Sequence, residues 1–273
     1  MSGDYPLSTA SARRGMVHTS AENGVGTIVF DNPTRRNALS VDMMEATHTA
    51  LGTFDADPGV AVVVLRGAGD IAFASGADIS EFEEHQTSAE AQVRFDATAA
   101  EVFRTLREMA TPTIAMISGY CLGGGLAVAI GTDIRIATTT STFAIPAARL
   151  GLGYPLENTA ALVSIVGPAN AAEMLYSARR LTSAQAHSAG LVNRVVEVDE
   201  LGPTVAELAG AIAANAPLTI RAAKNSIRAA IAPTRDDLAA SARQSIADCS
   251  RSADIREGQR AFMDKRPPVF RGV

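Results

Sequence analysis

The chain has 273 residues, 47% of them hydrophobic and 19% charged, and a net charge of −5. The length suggests one large domain or two modest ones, and the low charge argues against a disordered chain and hints at surface buried against another subunit. A pI of about 5.4 with no long basic stretch argues against general nucleic-acid binding. In chain order, MSGDYPLSTASARRG carries Arg13 and Arg14 with no apolar run after them. Residues 1–16 therefore read as a loose leader on a cytoplasmic protein, neither secretory signal nor anchor. Gly26–Asp31 (GTIVFD) reads as a strand ending at Asn32-Pro33. Ser40 can cap a helix whose Val41, Met44, Leu51 and Phe54 share one face, with His48 on the same stripe as a packed core histidine. Val60–Arg66 (VAVVVLR) is a continuous apolar run, typical of a strand covered on both faces. Gly67–Asp78 reads as a loop, and Glu81, Glu83, Glu84 and His85 as a solvated face. A long helix follows over Ser88–Met109, then a strand over Thr113–Ser118, three glycines, and a buried helix over Leu126–Ile130.

The 24 residues from Met109 to Thr132 carry no charge and could span a bilayer by length. Pro112 and Gly123-Gly124-Gly125 would break such a helix, so a strand, a turn and a short helix fit better. Strands and helices alternate to about Val198, with a capping box at Thr182 and Gln185 and a strand over Leu191–Val196. Beyond residue 200 the pattern holds helices only, near 200–214, 217–231, 234–250 and 252–263. The expected organisation is an α/β core over 17–199 and a C-terminal all-helical region over 200–273. Cys121 and Cys249 form no disulfide framework, and four scattered histidines form no metal-ligand cluster.

The segment TIAMISGYCLGGGLAVAI (Thr113–Ile130) runs a strand into consecutive glycines that open a helix. Free N–H groups at such a start point outward with the helix dipole behind them, and glycine lets a substrate approach the backbone. That is the physical form of an oxyanion hole. Phe73–Ile79 (FASGADI) offers a second stretch of small residues suited to close approach of a ligand.

FASGADISEF and ISGYCLGGGLAVAIGTDIRIA together resemble the two signature segments of the crotonase superfamily, the enoyl-CoA hydratase/isomerase family. The flanks NPTRRNALS, FAIPAARLGLGYP, LTSAQAHSAGLVNRVV and GQRAFMDKRPPVF agree in order, so the resemblance covers about residues 17–270. It implies an α/β spiral of ββα units with a C-terminal helical region, assembled as homotrimers or pairs of trimers, acting on an acyl thioester of coenzyme A. It further implies an oxyanion hole from the N–H groups of Ala77 and Gly124. Ser75, Ala77, Asp78 and Ile79 would hold the adenine and pantetheine end, Arg35 would face the phosphates, and Phe262 and Lys265 would complete the pocket, in some members on a neighbouring subunit. No metal or redox cofactor is implied, nor any membrane or nucleic-acid partner.

The resemblance also marks a departure. Hydratases of the family activate water with two glutamates, and a gapless carry-over puts Ala127 and Ala147 at those positions. Neither alanine can accept a proton, so hydration is expected to be weak. Glu157 resembles, two residues offset, the single glutamate of some Δ3,Δ2-enoyl-CoA isomerases. Tyr154 resembles a tyrosine of the methylmalonyl-CoA decarboxylase branch, although a histidine of that branch is replaced here by Ala77. Three rivals stay open: a cysteine hydrolase built on Cys121, Asp133 and His187, a dinucleotide site at Gly67–Ala72, and an acyl-CoA binder without catalysis.

Overall fold

The computed structural model describes residues 15–78, 88–232 and 235–273. A hairpin of β1 (Met16–Glu22) and β2 (Val25–Asp31) sets β2 parallel to β3 (Val62–Gly67). The strands β5 (Thr113–Ile117), β7 (Ile134–Thr138) and β10 (Arg194–Val196) extend this sheet in the order β1-β2-β3-β5-β7-β10. After β3, β5 and β7 the chain crosses to a second sheet, where β4 (Ala72–Ala74), β6 (Tyr120–Leu122) and β8 (Thr142–Ala144) run parallel. The strand β9 (Leu181–Thr182) closes that sheet antiparallel to β8. The helices are α1 (Val41–Ala56), α2 (Ser88–Glu108), α3 (Gly124–Gly131), α4 (Ala147–Leu150), α5 (Leu156–Ser177), α6 (Ser183–Ser188), α7 (Leu201–Ala213), α8 (Pro217–Ile231), α9 (Asp236–Arg251) and α10 (Ala253–Asp264). Repetition of strand, strand and helix makes the spiral of ββα units that the resemblance implies.

Two glycines make the crossings possible. A side chain at Gly67 would overlap the Ala72 carbonyl, and one at Gly119 (φ +63) would overlap the Ile71 carbonyl. Three expectations need correction. Gly67–Asp78 is not all loop but holds β4; β4, β6 and β8 have three residues each, too few for a period to show. The strand expected over Leu191–Val196 is confined to Arg194–Val196, because the Leu191 N–H bonds the Ala186 carbonyl and continues the end of α6. The strand β1 takes in Met16, assigned above to the leader.

The valines of β3 face both ways. Val63 and Leu65 join Ile28, Phe30 and Ile117 in a core completed by α1 and α2, whereas Val62 and Val64 meet Leu201, Val205 and Ala209 of α7. The Ser40 hydroxyl accepts the Met43 N–H at 3.1 Å, and Thr182 with Gln185 forms a full capping box, both where the sequence signals them. His48 is half-buried and meets the Thr105 hydroxyl at 3.1 Å, a packed histidine. The buried Lys224 of α8 docks the C-terminal helices, donating to the Thr111 carbonyl (2.9 Å) and to Asp133 (2.8 Å) at the turn after α3. No helix among the described residues is long and apolar enough to cross a membrane.

Candidate active site

Two segments meet where β4 and β6 end. After β4 the chain passes Ser75, Gly76 and Ala77 beside Leu39, in an isolated parallel bridge. The Leu39 N–H donates to the Gly76 carbonyl (2.8 Å) and the Leu39 carbonyl accepts the Asp78 N–H (2.9 Å). This pattern turns the Ala77 N–H to the side away from Leu39. On that side lies the start of α3, where Gly124 is the first helical residue and its N–H has no intrahelical acceptor. The Ala77 nitrogen lies 3.5 Å from the point a Cβ on Gly124 would occupy. Among the described residues neither amide has a hydrogen-bond partner.

Each glycine of the triplet has a separate reason. Gly123 (φ +51, ψ −118) makes the turn into the helix and donates to the Ala144 carbonyl at 2.9 Å. A side chain at Gly125 would overlap the Ala74 carbonyl, so that glycine lets α3 pack on β4. At Gly124 a Cβ would meet only ordinary contacts, so packing alone does not require glycine there. Gly76 (φ +119) keeps its side of the cleft equally bare: a Cβ there would stand 3.9 Å from the Gly124 nitrogen.

The segment before α1 braces this arrangement. The buried Asn37 amide donates to the Ala72 and Ala68 carbonyls (2.7 and 3.1 Å), and its side-chain oxygen accepts the Asn32 N–H at 3.0 Å. The Asn32 side chain donates to the Ala38 carbonyl (3.0 Å) and to Asp78 (3.4 Å). These asparagines, with Leu39 and Gly76, are site residues that the sequence reading did not single out. NPTRRNALS was visible, but which carbonyls its amides would meet depends on the fold.

Of the anticipated ligand-holding residues, Arg35 is paired with the buried Asp78 at 3.2 Å. Ser75 donates its hydroxyl to the Arg35 carbonyl (2.9 Å) and its N–H to the Arg36 carbonyl (3.1 Å). Arg35, Ser75, Ala77 and Asp78 are thus brought together, whereas Ile79, Glu81, Glu83, Glu84 and His85 lie outside the described residues. Phe262 (83% exposed) and Lys265, which caps α10, sit on the C-terminal helices.

Ala127 lies on α3, with its N–H bonded to the Gly123 carbonyl, and Ala147 is the first residue of α4. Pro146 comes within 3.7 Å of the position a Cβ on Gly123 would take, which puts the start of α4 beside the glycine turn. Tyr154 packs on the main core, and its hydroxyl is buried without a hydrogen-bond partner. Burial pushes its phenol above the ordinary value; the nearby Asn158 side chain pulls the other way without meeting it in hydrogen-bonding geometry. Glu157 lies exposed on the first turn of α5.

Two rival readings fail here. Cys121 is fully buried, and that burial pushes its thiol upward, the reverse of an activated nucleophile. Asp133 is engaged by Thr113 and Lys224 rather than by His187. Gly67–Ala72 leads into β4 instead of a helix, so it offers no helix start to a dinucleotide.

Residues 20–273 match the family model described as enoyl-CoA hydratase/isomerase. The chain is 33% identical over 245 residues to the short-chain-enoyl-CoA hydratase of Clostridium acetobutylicum, covering 90% of this chain and 93% of that protein. It is 32% identical over 249 residues to the crotonyl-CoA hydratase of Syntrophomonas wolfei, covering 91% and 95%. Among solved structures, an enoyl-CoA hydratase/carnithine racemase from Magnetospirillum magneticum superposes with a TM-score of 0.86 at 35% identity, covering 94% of this chain and 96% of that one.

Proposed function

The chain belongs to the enoyl-CoA hydratase/isomerase family, and from that premise we propose that it processes an acyl-CoA by holding a thioester enolate between the N–H groups of Ala77 and Gly124. What supports the reading is the facing pair of uncommitted amides at the start of α3. A thioester oxygen seated between them gains negative charge as the α-proton leaves. Two fixed donors then stabilise the enolate more than the neutral carbonyl, which is the condition for catalysis.

Alanine stands at 127 and 147, the two positions where the resemblance would place water-activating carboxylates. Each positioned acid or base contributes about 10²–10⁴-fold, so hydration is slow and a shift of the double bond along the acyl chain is favoured. Glu157 is our candidate for carrying the proton from one carbon to the other. Coenzyme A enters as part of the substrate, with no further cofactor or metal. Arg35, Ser75, Asp78 and Ile79 hold it, together with Phe262 and Lys265 from a neighbouring copy in a homotrimer or pair of trimers. Residues 200–273 serve assembly and pocket closure, and the protein works in the cytoplasm. The test is a side-by-side assay of a 3-enoyl-CoA and crotonyl-CoA. Isomerisation at least tenfold faster than hydration agrees with this reading, and the reverse order refutes it.

One observation favours a second reading, decarboxylation of a methylmalonyl-CoA type of substrate. The buried, unpartnered Tyr154 hydroxyl is a donor held in reserve, whereas Glu157 is exposed. Release of carbon dioxide from such a substrate, lost in Tyr154→Phe, would establish it.

A further inference from the structure

The segment after α10 doubles back over that helix. Asp254, Glu257, Gly258 and Ala261 stand at i, i+3, i+4 and i+7 of α10, one stripe of its surface, and each of them meets residues 266–272. The Ala261 carbonyl accepts the Arg266 N–H at 3.1 Å. Glu257 takes the Arg266 guanidinium on both oxygens (2.7 and 3.1 Å) and the Val269 N–H at 3.0 Å. The ring of Phe270 lies 3.5 Å from the point a Cβ on Gly258 would occupy. The two oxygens of Asp254 accept the Arg271 and Gly272 N–H groups, each at 2.8 Å.

These contacts make a strap fastened by polar bonds. Residues 266–269 are exposed and form neither helix nor strand, and segments held by so little burial open at a cost far below global unfolding. Asp254 is 4% exposed, and a carboxylate so buried needs both oxygens satisfied. With the strap closed the two N–H groups satisfy them, and with it open water does. In the closed position Phe270 forms part of the wall of a cavity of about 420 Å³, together with Thr219 of α8 and Cys249 of α9. Closure also sets the turn at Lys265, whose left-handed backbone (φ 54) persists in a non-glycine residue only where its surroundings impose it. The bonds of the next residue, Arg266, to Ala261 and Glu257 impose it here.

We propose that Asp254 and Glu257 are positioning residues that latch residues 266–272 as a strap, which opens and closes as one unit and in closing fixes Lys265 for its part in pocket closure. The strap stands on the contacts above. Its effect through Lys265 rests on the acyl-CoA reading.

Two measurements on the full chain separate these levels. Alkylation by iodoacetamide, followed by mass spectrometry, reads the strap without any substrate. Cys121 is sealed in the core, so Cys249 in the cavity wall is the thiol that responds. Asp254→Asn keeps the shape of the latch but sets an amide NH₂ against a backbone N–H. It should speed alkylation of Cys249 about tenfold or more, with the fold intact by thermal melt. Phe270→Ala, which keeps the latch and removes the ring from the cavity wall, should speed it as well. In an acyl-CoA assay, Asp254→Asn should raise KM about tenfold and leave kcat within about twofold, a split that general destabilisation does not produce. Cys249 reacting no faster in the variants than in wild type overturns the strap. Faster alkylation with KM unchanged overturns the coupling to Lys265. If Asp254→Asn melts early, Glu257→Gln, which frees Arg266 and Val269, is read in the same way. A wild type that turns over no acyl-CoA counts against the acyl-CoA reading, and alkylation still decides the strap.

Discussion

The Ala77 nitrogen lies 3.5 Å from where a Cβ on Gly124 would stand, so a side chain at 124 would occupy the space shared by the two free amides. Gly124→Ala should therefore lower turnover by about 10²-fold or more, the cost of spoiling one donor of an oxyanion hole. Its stability should hold or rise slightly, because alanine is the better helix former and its contacts are ordinary. Gly125→Ala should fail differently: its Cβ overlaps the Ala74 carbonyl, so melting temperature and activity fall together. Thermal melts and initial rates of both variants distinguish an occupied site from a disrupted fold.

Tyr154→Phe removes a buried hydroxyl that has no partner. The variant should match wild type in stability or gain about 1 kcal/mol, since an orphaned buried polar group is costly. If the hydroxyl serves the substrate, the rate drops more than tenfold while the melting temperature does not. A loss of stability would mean that the hydroxyl is satisfied within the protein.

Placing glutamate at both Ala127 and Ala147 should raise crotonyl-CoA hydration by about 10²-fold, the lower end of what one positioned acid–base group supplies. Hydration followed by loss of absorbance at the conjugated thioester reads this directly. A correctly folded variant with no gain would mean that the two positions do not face the reacting carbons.

Lys224 links the C-terminal helices to the core through Thr111 and Asp133. Lys224→Met leaves Asp133 without its cation and should cost about 3 kcal/mol, lowering the melting temperature by roughly 10 °C. Burial holds the Lys224 pKa below its ordinary 10.5, although Asp133 pulls it upward. Between the lowered value and 10.5 the unfolded chain binds the proton and the folded chain does not. The margin of wild type over Lys224→Met should therefore widen as pH rises through that interval. Denaturant titrations across alkaline pH test the sign, and a narrowing margin would contradict it.

Much of the fold was legible wherever the signal was local. Ser40, the Thr182 and Gln185 box, the valine run of β3 and the four C-terminal helices each announce themselves within a few residues. The short strands β4, β6 and β8 do not, because they exist only by pairing with one another across the spiral. The same divide runs through the site. The glycine triplet and FASGADI stand out in the sequence, while the Leu39 bridge that aims the Ala77 N–H and the Asn37 brace depend on contacts between distant segments.

The most direct test of the enolate account is α-proton exchange, with the chain incubated in D₂O with a saturated acyl-CoA and with crotonyl-CoA, followed by mass spectrometry for wild type, Gly124→Ala and Glu157→Gln. The account predicts deuterium at the α-carbon of the saturated thioester with little hydration of crotonyl-CoA. It also predicts that exchange is lost in Gly124→Ala and sharply reduced in Glu157→Gln. Rapid hydration that survives in Glu157→Gln, or exchange that persists undiminished in Gly124→Ala, would contradict it.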